Sequence, residues 1–335
     1  MTKKCWESAD MKKFFAILLA ALLSMSCLSA MAETTKVAVI YSATVDDKGW
    51  CQAMDAGIKN AIAQGCDIEY NPIETVAVPD AASTIDQLVD NYDIIVAHGA
   101  QFANAITEVA AENPDQVFVV GTSDQIMGDN IFTYMPASEE PGYINGYISG
   151  LLSKTGKAGV VGSADSGDAK RYVRGFVLGF RAACPDQEDP AVTWTGSFDD
   201  TVQAGDIATI MIDANCDMLT GSSQQAVGAL RKVAASENAK WAAQTLAQMA
   251  DFPEVTVCAA DYEYAAVIIN VIAQVNEGVK GGICIPMNYN NGGFVFQFSE
   301  NSDLISDEVK AAAAEVLQQI TDNPGSIDYA SVELQ

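Results

Sequence analysis

The residues able to do chemistry fall into a small set of short, polar loops. Asp46-Asp47-Lys48-Gly49-Trp50 and His98-Gly99-Ala100-Gln101-Phe102 lie in the first half of the chain. Residues 163–168, Ser197-Phe198-Asp199-Asp200 and Gly221-Ser222-Ser223-Gln224-Gln225 lie further on. Together they supply aromatic faces, carboxylates, amides and hydroxyls. That set suits a flat, uncharged ligand: a ring can stack on Trp50 and Phe198, while carboxylates accept from ring N–H groups or sugar hydroxyls. Asp46, Asp47, Trp50, His98, Gln101, Phe102, Ser197, Phe198, Asp199, Gly221 and Gln224 are therefore candidate ligand contacts. Each has a plainer reading beside it. Trp50 and Phe198 could close a core at a loop-to-helix junction, the paired acids could cap helices, and His98 could be a satisfied structural histidine.

Catalytic signatures are thin. The run 156–165 lacks G-x-G-x-x-G, and neither a P-loop nor a G-x-S-x-G elbow occurs. The single histidine, His98, removes His-pair zinc sites and leaves a Ser-His-Asp triad only one base. Asp47 with Asp199 could do glycosidase-like work across a cleft, but neighbouring acids are common in a chain with 44 Asp and Glu against 18 Lys and Arg. The reading is therefore a binding protein with no catalytic residue, no metal and no cofactor. The net charge of −26 argues against nucleic acid, whose phosphates need clustered Lys and Arg, and against anionic lipid headgroups.

These loops must be positioned by a scaffold, which begins after an export address. Lys12 and Lys13 precede an apolar run over 14–23, and Ala30-Met31-Ala32 is a small-x-small cleavage signal. This order marks residues 1–32 as a signal peptide, with Met11 as an alternative start. Removing its four lysines and two acids leaves a net charge of −28. Cys27 offers a second reading as a lipidation site, although Ser24 stands where leucine is usual. Soluble export and a lipid anchor both stay open. Six cysteines follow: 51, 66, 184, 216, 258 and 284. Cys51 and Cys66 bracket one predicted helix and would lie about 20 Å apart, too far to pair. Cys184 and Cys216 sit on one rim of the second sheet and form the favoured disulfide; buried free thiols are the alternative.

From residue 36 onward, β-branched runs alternate with amphipathic stretches. Strands are predicted over 36–41, 67–73, 92–97 and 116–120, with helices over 48–64, 81–91 and 102–112. Strand–helix alternation implies a parallel sheet covered by helices. The order then restarts. Lys36-Val-Ala-Val-Ile-Tyr-Ser-Ala aligns with Lys157-Ala-Gly-Val-Val-Gly-Ser-Ala, an offset of 121 residues. Asp93-Ile-Ile-Val-Ala-His-Gly corresponds to Asp217-Met-Leu-Thr-Gly, and Ala110-Ala-Glu-Asn to Ala235-Ser-Glu-Asn. Gly57 and Gly175 fall in equivalent helices, while Trp194 and Trp241 lie in strand patterns and read as core. The tail, with strands over 254–259, 283–287 and 294–298 and helices over 261–277 and 306–322, crosses between the copies. The fold class is α/β: two similar open parallel-sheet, Rossmann-like lobes joined by hinge strands, a clamshell. The first lobe takes 36–136 and 260–281, the second 137–257 and 284–330, with crossings near 136, 258 and 283. Ligands of open parallel sheets bind beyond the C-terminal strand ends, where all the loops above are placed.

Several motifs in order carry a family resemblance. They are Asp47-Lys48-Gly49-Trp50, Tyr92-Asp-Ile-Ile-Val-Ala-His-Gly-Ala-Gln-Phe-Ala-Asn104 and Ala111-Glu-Asn-Pro-Asp-Gln-Val-Phe-Val119. Gly142-Tyr-Ile-Asn-Gly146, Lys154-Thr-Gly-Lys-Ala-Gly-Val-Val-Gly162, Arg174-Gly-Phe-Val-Leu-Gly-Phe180 and Trp194-Thr-Gly-Ser-Phe-Asp199 follow. From about residue 36 to 283 the chain resembles the basic membrane protein family, the exported substrate-binding proteins of ABC transporters that include purine nucleoside receptors. The resemblance implies a type I periplasmic-binding-protein fold and a purine base or nucleoside held between the lobes. It implies stacking on Trp50 and Phe198, with Asp47, Gln101 and Asp199 reading the ring or sugar. It also implies an ABC permease as partner, a periplasmic or extracellular location and a monomer. Two positions depart from the pattern: a sugar-holding lysine is absent around Cys258-Ala259-Ala260-Asp261, and Gln244-Thr245 replaces a usual aspartate. Thr245 and Asp261 remain candidate contacts, and the losses favour a free base. The alternatives are a surface interaction protein with another ligand or none, a flavin or sugar receptor, and, further off, a nucleoside hydrolase.

Overall fold

The computed structural model of the protein describes residues 34–334; the export segment and Cys27 lie outside the described residues. Two six-stranded sheets are present. In the first, β1 (Thr35–Ile40), β2 (Ile68–Ile73), β3 (Ile94–Ala97), β4 (Val117–Gly121) and β5 (Ile131–Pro136) are parallel. The second repeats the plan with β6 (Ala158–Gly162), β7 (Ala191–Trp194), β8 (Met218–Gly221), β9 (Lys240–Ala243) and β10 (Thr256–Tyr262). Strand order matches position for position, with β11 (Ile283–Met287) closing the first sheet beside β5 and β12 (Phe294–Phe298) closing the second beside β10. The two closing strands differ in sense: β11 is parallel to its neighbour and β12 antiparallel. Val37, Ala38, Val39 and Ile40 of β1 are completely buried. Burying each large aliphatic side chain contributes roughly 1.5–3 kcal/mol, more than strand propensity alone can supply.

Helices cover both faces of each sheet. On the first, α1 (Trp50–Ala63) occupies one face, while α2 (Ala81–Leu88) and α3 (Ala103–Glu112) take the other. On the second, α5 (Gly167–Ala183) and α10 (Asp307–Asp322) share one face. The opposite face is covered by α6 (Thr201–Asp213) and α7 (Ala226–Ala234), with the short α8 (Leu246–Asp251) beside them. The pattern reading passed over β5 and the helix after it, α4 (Glu139–Leu152), because α4 is apolar and glycine-rich on most of its surface. Its placement is decisive. It follows a strand of the first sheet yet packs into the second lobe, beside α5, where Ile144 and Ile148 join Tyr172 and Phe176. Reciprocally, α9 (Ala265–Asn276) follows a strand of the second sheet and packs its Val267, Ile268 and Val271 into the first lobe's core.

The chain thus passes between lobes after Pro136, after Tyr262 and after Met287. The expected crossings near 258 and 283 are corrected by strand pairing. Cys258 to Tyr262 remain laddered to β12, and Ile283 to Met287 pair with β5. The apolar runs were legible in the sequence; which sheet each would join was not. The three passages run side by side. Ala137 N–H donates to Met287 C=O at 2.8 Å and Glu263 N–H to Gly293 C=O at 3.0 Å. The buried Glu140 carboxylate accepts from Tyr289 N–H at 2.9 Å, and desolvation pushes its pKa up to about 7.

The six described cysteines are free, correcting the expected Cys184–Cys216 bridge. Cys184 Sγ donates to Gly150 C=O at 3.0 Å on the α4–α5 side of the second sheet. Cys216 is buried in the cluster on the opposite face, so the sheet itself separates them. Trp241 is fully buried, as read from the sequence, whereas Trp194 at the end of edge strand β7 is half-buried.

Helices α4 and α5 approach backbone to backbone. A Cβ at Gly142 would strike Tyr172 O, and one at Gly146 would strike Phe176 O. Backbone cannot swing aside as a side chain can, so overpacking here costs about 1–3 kcal/mol. Gly146→Ala is expected to lower the unfolding free energy by that amount, read as a lower urea midpoint with an unaltered slope; an unchanged midpoint would show that the helices can separate freely.

Candidate functional site

A cavity of about 720 Å³ lies between the lobes, lined from both. Every wall is a loop or helix start that follows the C-terminal end of a parallel strand. Ser42 and Ala43 follow β1, Gly99 to Gln101 follow β3, and Thr122 follows β4. From the second lobe, Ser166 to Asp168 follow β6, Gly196 to Asp199 follow β7, and Ser223 with Gln224 follow β8. Of the candidate contacts, Trp50, Gln101, Ser197, Phe198, Asp199 and Gln224 reach this cavity.

Trp50 opens α1, and its ring stacks on His98 with centroids 4.5 Å apart and planes 13° from parallel. The rings of Tyr262 and Tyr264 meet it edge-on at 5.3 and 5.6 Å. His98 is completely buried. Its Nε2 lies 2.9 Å from Trp50 C=O and its Nδ1 lies 2.6 Å from Tyr134 Oη. A carbonyl only accepts, so Nε2 carries the proton and Nδ1 accepts from the tyrosine. Desolvation lowers the imidazole pKa to about 3, leaving it neutral. His98 therefore backs Trp50 instead of lining the cavity. Across the cleft, Phe198 is 48% exposed. Asp199 accepts from Ser197 Oγ at 2.7 Å, while the neighbouring Asp200 caps α6 by accepting from Gln203 N–H at 2.9 Å.

The remaining candidates have other work. Asp46 is exposed and accepts from Thr44 Oγ1. Asp47 accepts from the N–H groups of Gly49, Cys51 and Gln52, organising the start of α1. Phe102 is core of the first lobe, and Gly221 is buried at the end of β8. Thr245 caps α8, accepting from Gln248 N–H, and donates across the lobes to Lys48 C=O at 3.1 Å. Asp261 accepts from Leu246 and Tyr262 N–H, each at 2.8 Å; burial pushes its pKa up to about 7. Acidic and hydroxyl side chains beside helix starts satisfied backbone donors before they could serve a ligand.

Asp168 was not singled out in the sequence, although its loop was. It lines the cavity from the first turn of α5 and accepts from Tyr262 O–H at 2.8 Å; desolvation raises its pKa. Ser42 and Thr122 were missed as well. Their only signal was position, directly after a strand's C-terminal end. The lobes also touch through the 46–50 loop: Lys48 Nζ lies 3.3 Å from Asp251, and a Cβ at Gly49 would meet Gln224 Cβ at 2.9 Å. Among the described residues no group of three or more His, Cys, Asp or Glu could hold a metal ion.

Two duplicated parallel-sheet lobes around a lined cleft define the architecture of solute-binding proteins. A solved ABC-transporter solute-binding protein from Aeropyrum pernix K1 superposes with a TM-score of 0.72 at 19% identity, covering 86% of this chain and 91% of that one. Residues 34–330 match the model of the Bmp family, described as ABC transporter substrate-binding protein PnrA-like, and the chain belongs to that family. A purine-binding protein of Brucella abortus is 29% identical over 191 residues, 56% of this chain and 54% of that protein. A Haloferax volcanii ABC transporter protein whose name proposes glucose as ligand is 28% identical over 223 residues, 66% of this chain and 55% of that protein. The chain thus spans about half the length of these curated relatives. Among the described residues, no helix is long and apolar enough to cross a membrane.

A histidine held neutral by burial ties stability to pH. Its folded pKa lies below the unfolded value of about 6.5, so the unfolded chain binds the extra proton between about 6.5 and 3. Its contribution is present above that window and lost as pH falls through it. His98→Gln is expected to destabilise by about 2–3 kcal/mol at pH 7, with the gap to wild type narrowing by pH 4.5 in urea titrations. A gap independent of pH would contradict a neutral His98.

Proposed function

We propose that the protein captures a purine-type ring outside the cytoplasmic membrane and delivers it to an ABC permease, with the free base preferred over the nucleoside. The observation that carries this reading is the aromatic platform. One face of Trp50 is backed by a neutral His98, while Trp50 borders the cavity that Phe198 borders from the other lobe. Closure of the two lobes about their three connecting passages would bring an aromatic surface to each side of a flat ligand.

Charge and polarity narrow the class. Asp168 and Asp199 face the cavity, and among the described residues neither Lys nor Arg lines it. A phosphate would meet two carboxylates and no cation, so nucleotides are disfavoured. Asp261, Gln244 and Thr245 are occupied by protein hydrogen bonds, which supports the base over the nucleoside. The name of the Brucella abortus relative agrees with this reading. The Haloferax volcanii relative supplies the second reading, a sugar ring, which also stacks on aromatics.

Thermal-shift titration separates the two. A purine base is expected to raise Tm in proportion to the logarithm of its concentration above Kd, and a nucleoside monophosphate to leave it unchanged. Stabilisation by glucose but by no purine would replace the purine reading with the sugar one. Trp50→Ala is expected to weaken base binding about 30-fold by calorimetry, the equivalent of about 2 kcal/mol of stacking and apolar contact. An unaltered affinity would take Trp50 out of the binding surface.

A further inference from the structure

A hydrogen-bond chain behind the cleft has a direction that the chemistry of its first member imposes. Ser223 N–H lies 2.8 Å from the Gln244 side-chain oxygen. A backbone N–H can only donate, so the amide oxygen faces Ser223 and the amide nitrogen faces away. That nitrogen, Nε2, donates to Tyr262 Oη at 2.9 Å. The phenol has one proton, and it goes to Asp168 Oδ2, 2.8 Å away. The chain therefore runs one way, from Ser223 through Gln244 and Tyr262, and ends on Asp168 Oδ2, which accepts.

Asp168 is also held at the first turn of α5, where helix N–H groups favour negative charge. Its own N–H and that of Ala169 donate to it. It stands on the cavity wall. The same Tyr262 that orients this carboxylate packs its ring perpendicular to that of Trp50, with centroids 5.3 Å apart. One residue thus relates the position of the acceptor to the plane of the stacking platform.

We propose that Asp168 is the specificity-determining residue of the cleft, an oriented acceptor that selects purines presenting a ring N–H, the 6-oxopurine edge, over those presenting a bare ring nitrogen, the adenine edge. This rests on the purine reading above. A 6-oxopurine offers N1–H to the carboxylate, whereas adenine turns the N1 lone pair towards it. The first contact is a charge-assisted hydrogen bond and the second a repulsion between acceptors. Losing a hydrogen bond to a charged group corresponds to a factor of about 10–100 in affinity. Tyr262 acts as a positioning residue: it bonds Asp168 and leaves recognition to the carboxylate.

Calorimetric titration of the soluble protein with hypoxanthine, 1-methylhypoxanthine and adenine tests this, using wild type, Asp168→Asn and Tyr262→Phe, each checked for its melting transition. Wild type is expected to bind hypoxanthine at least 10-fold tighter than either other base. Asp168→Asn, which replaces an acceptor by a group that can also donate, should erase that preference while still binding a purine. Tyr262→Phe keeps the carboxylate and should reduce the preference without abolishing it. Equal affinities for the three bases in wild type, or an intact preference in Asp168→Asn, would overturn the role of Asp168 and leave the purine reading standing. Failure of wild type to bind any of the three, with the glucose titration positive, would overturn both.

Discussion

The cleft depends on an exchange of helices between the lobes. Helix α4 leaves the first sheet and packs on the second, and α9 leaves the second and packs on the first. Each lobe therefore completes its own core with a helix supplied from the other side. Neither helix could return to its parent lobe without uncovering residues such as Ile144 and Ile148 or Val267 and Ile268, all buried. The passages after Pro136, Tyr262 and Met287 follow from this exchange, and so does their proximity. Their backbones bond one another, with the buried Glu140 carboxylate on Tyr289 N–H as an added tie between two of them.

The same arrangement sets the chemistry of the cleft. Tyr262 and Tyr264 lie at the second passage, with rings stacked 5.6 Å apart, and both stand perpendicular to the ring of Trp50. His98 fills the space behind Trp50 and stays neutral because it is fully desolvated. A charged imidazole there would carry an uncompensated desolvation cost. The cavity wall carries acidic Asp168 and Asp199, and among the described residues neither Lys nor Arg lines it. The overall charge of −26 is thus echoed locally in the lining of the cleft.

Much of the scaffold was legible from pattern. Strand β1 and helices α1 and α10 fall within two residues of their expected bounds, and the repeat between residues 36 and 157 reappears as one strand order in both sheets. The site was legible as a set of loops but not as a set of side chains. Asp46, Asp47, Thr245 and Asp261 have the composition of ligand contacts, yet their oxygens bond the protein's own N–H and hydroxyl groups. Trp50 and Phe198, singled out by type, border the cavity, whereas Asp168 was hidden in a loop with one other acid and two serines at hand.

Sequence alone determined the alternation of apolar runs and helices, the duplication, the family motifs and the acidic charge. These are local or additive properties, written in residue types and their spacing. Tertiary structure alone decided which sheet β11 joins, that Cys184 and Cys216 face opposite sides of a sheet, that His98 supports Trp50, and that a directed chain of hydrogen bonds ends on Asp168. Each of these is a relation between residues far apart in the chain. A carboxylate or imidazole can serve a backbone amide, an aromatic ring or a ligand equally well, and only its neighbours in space determine which.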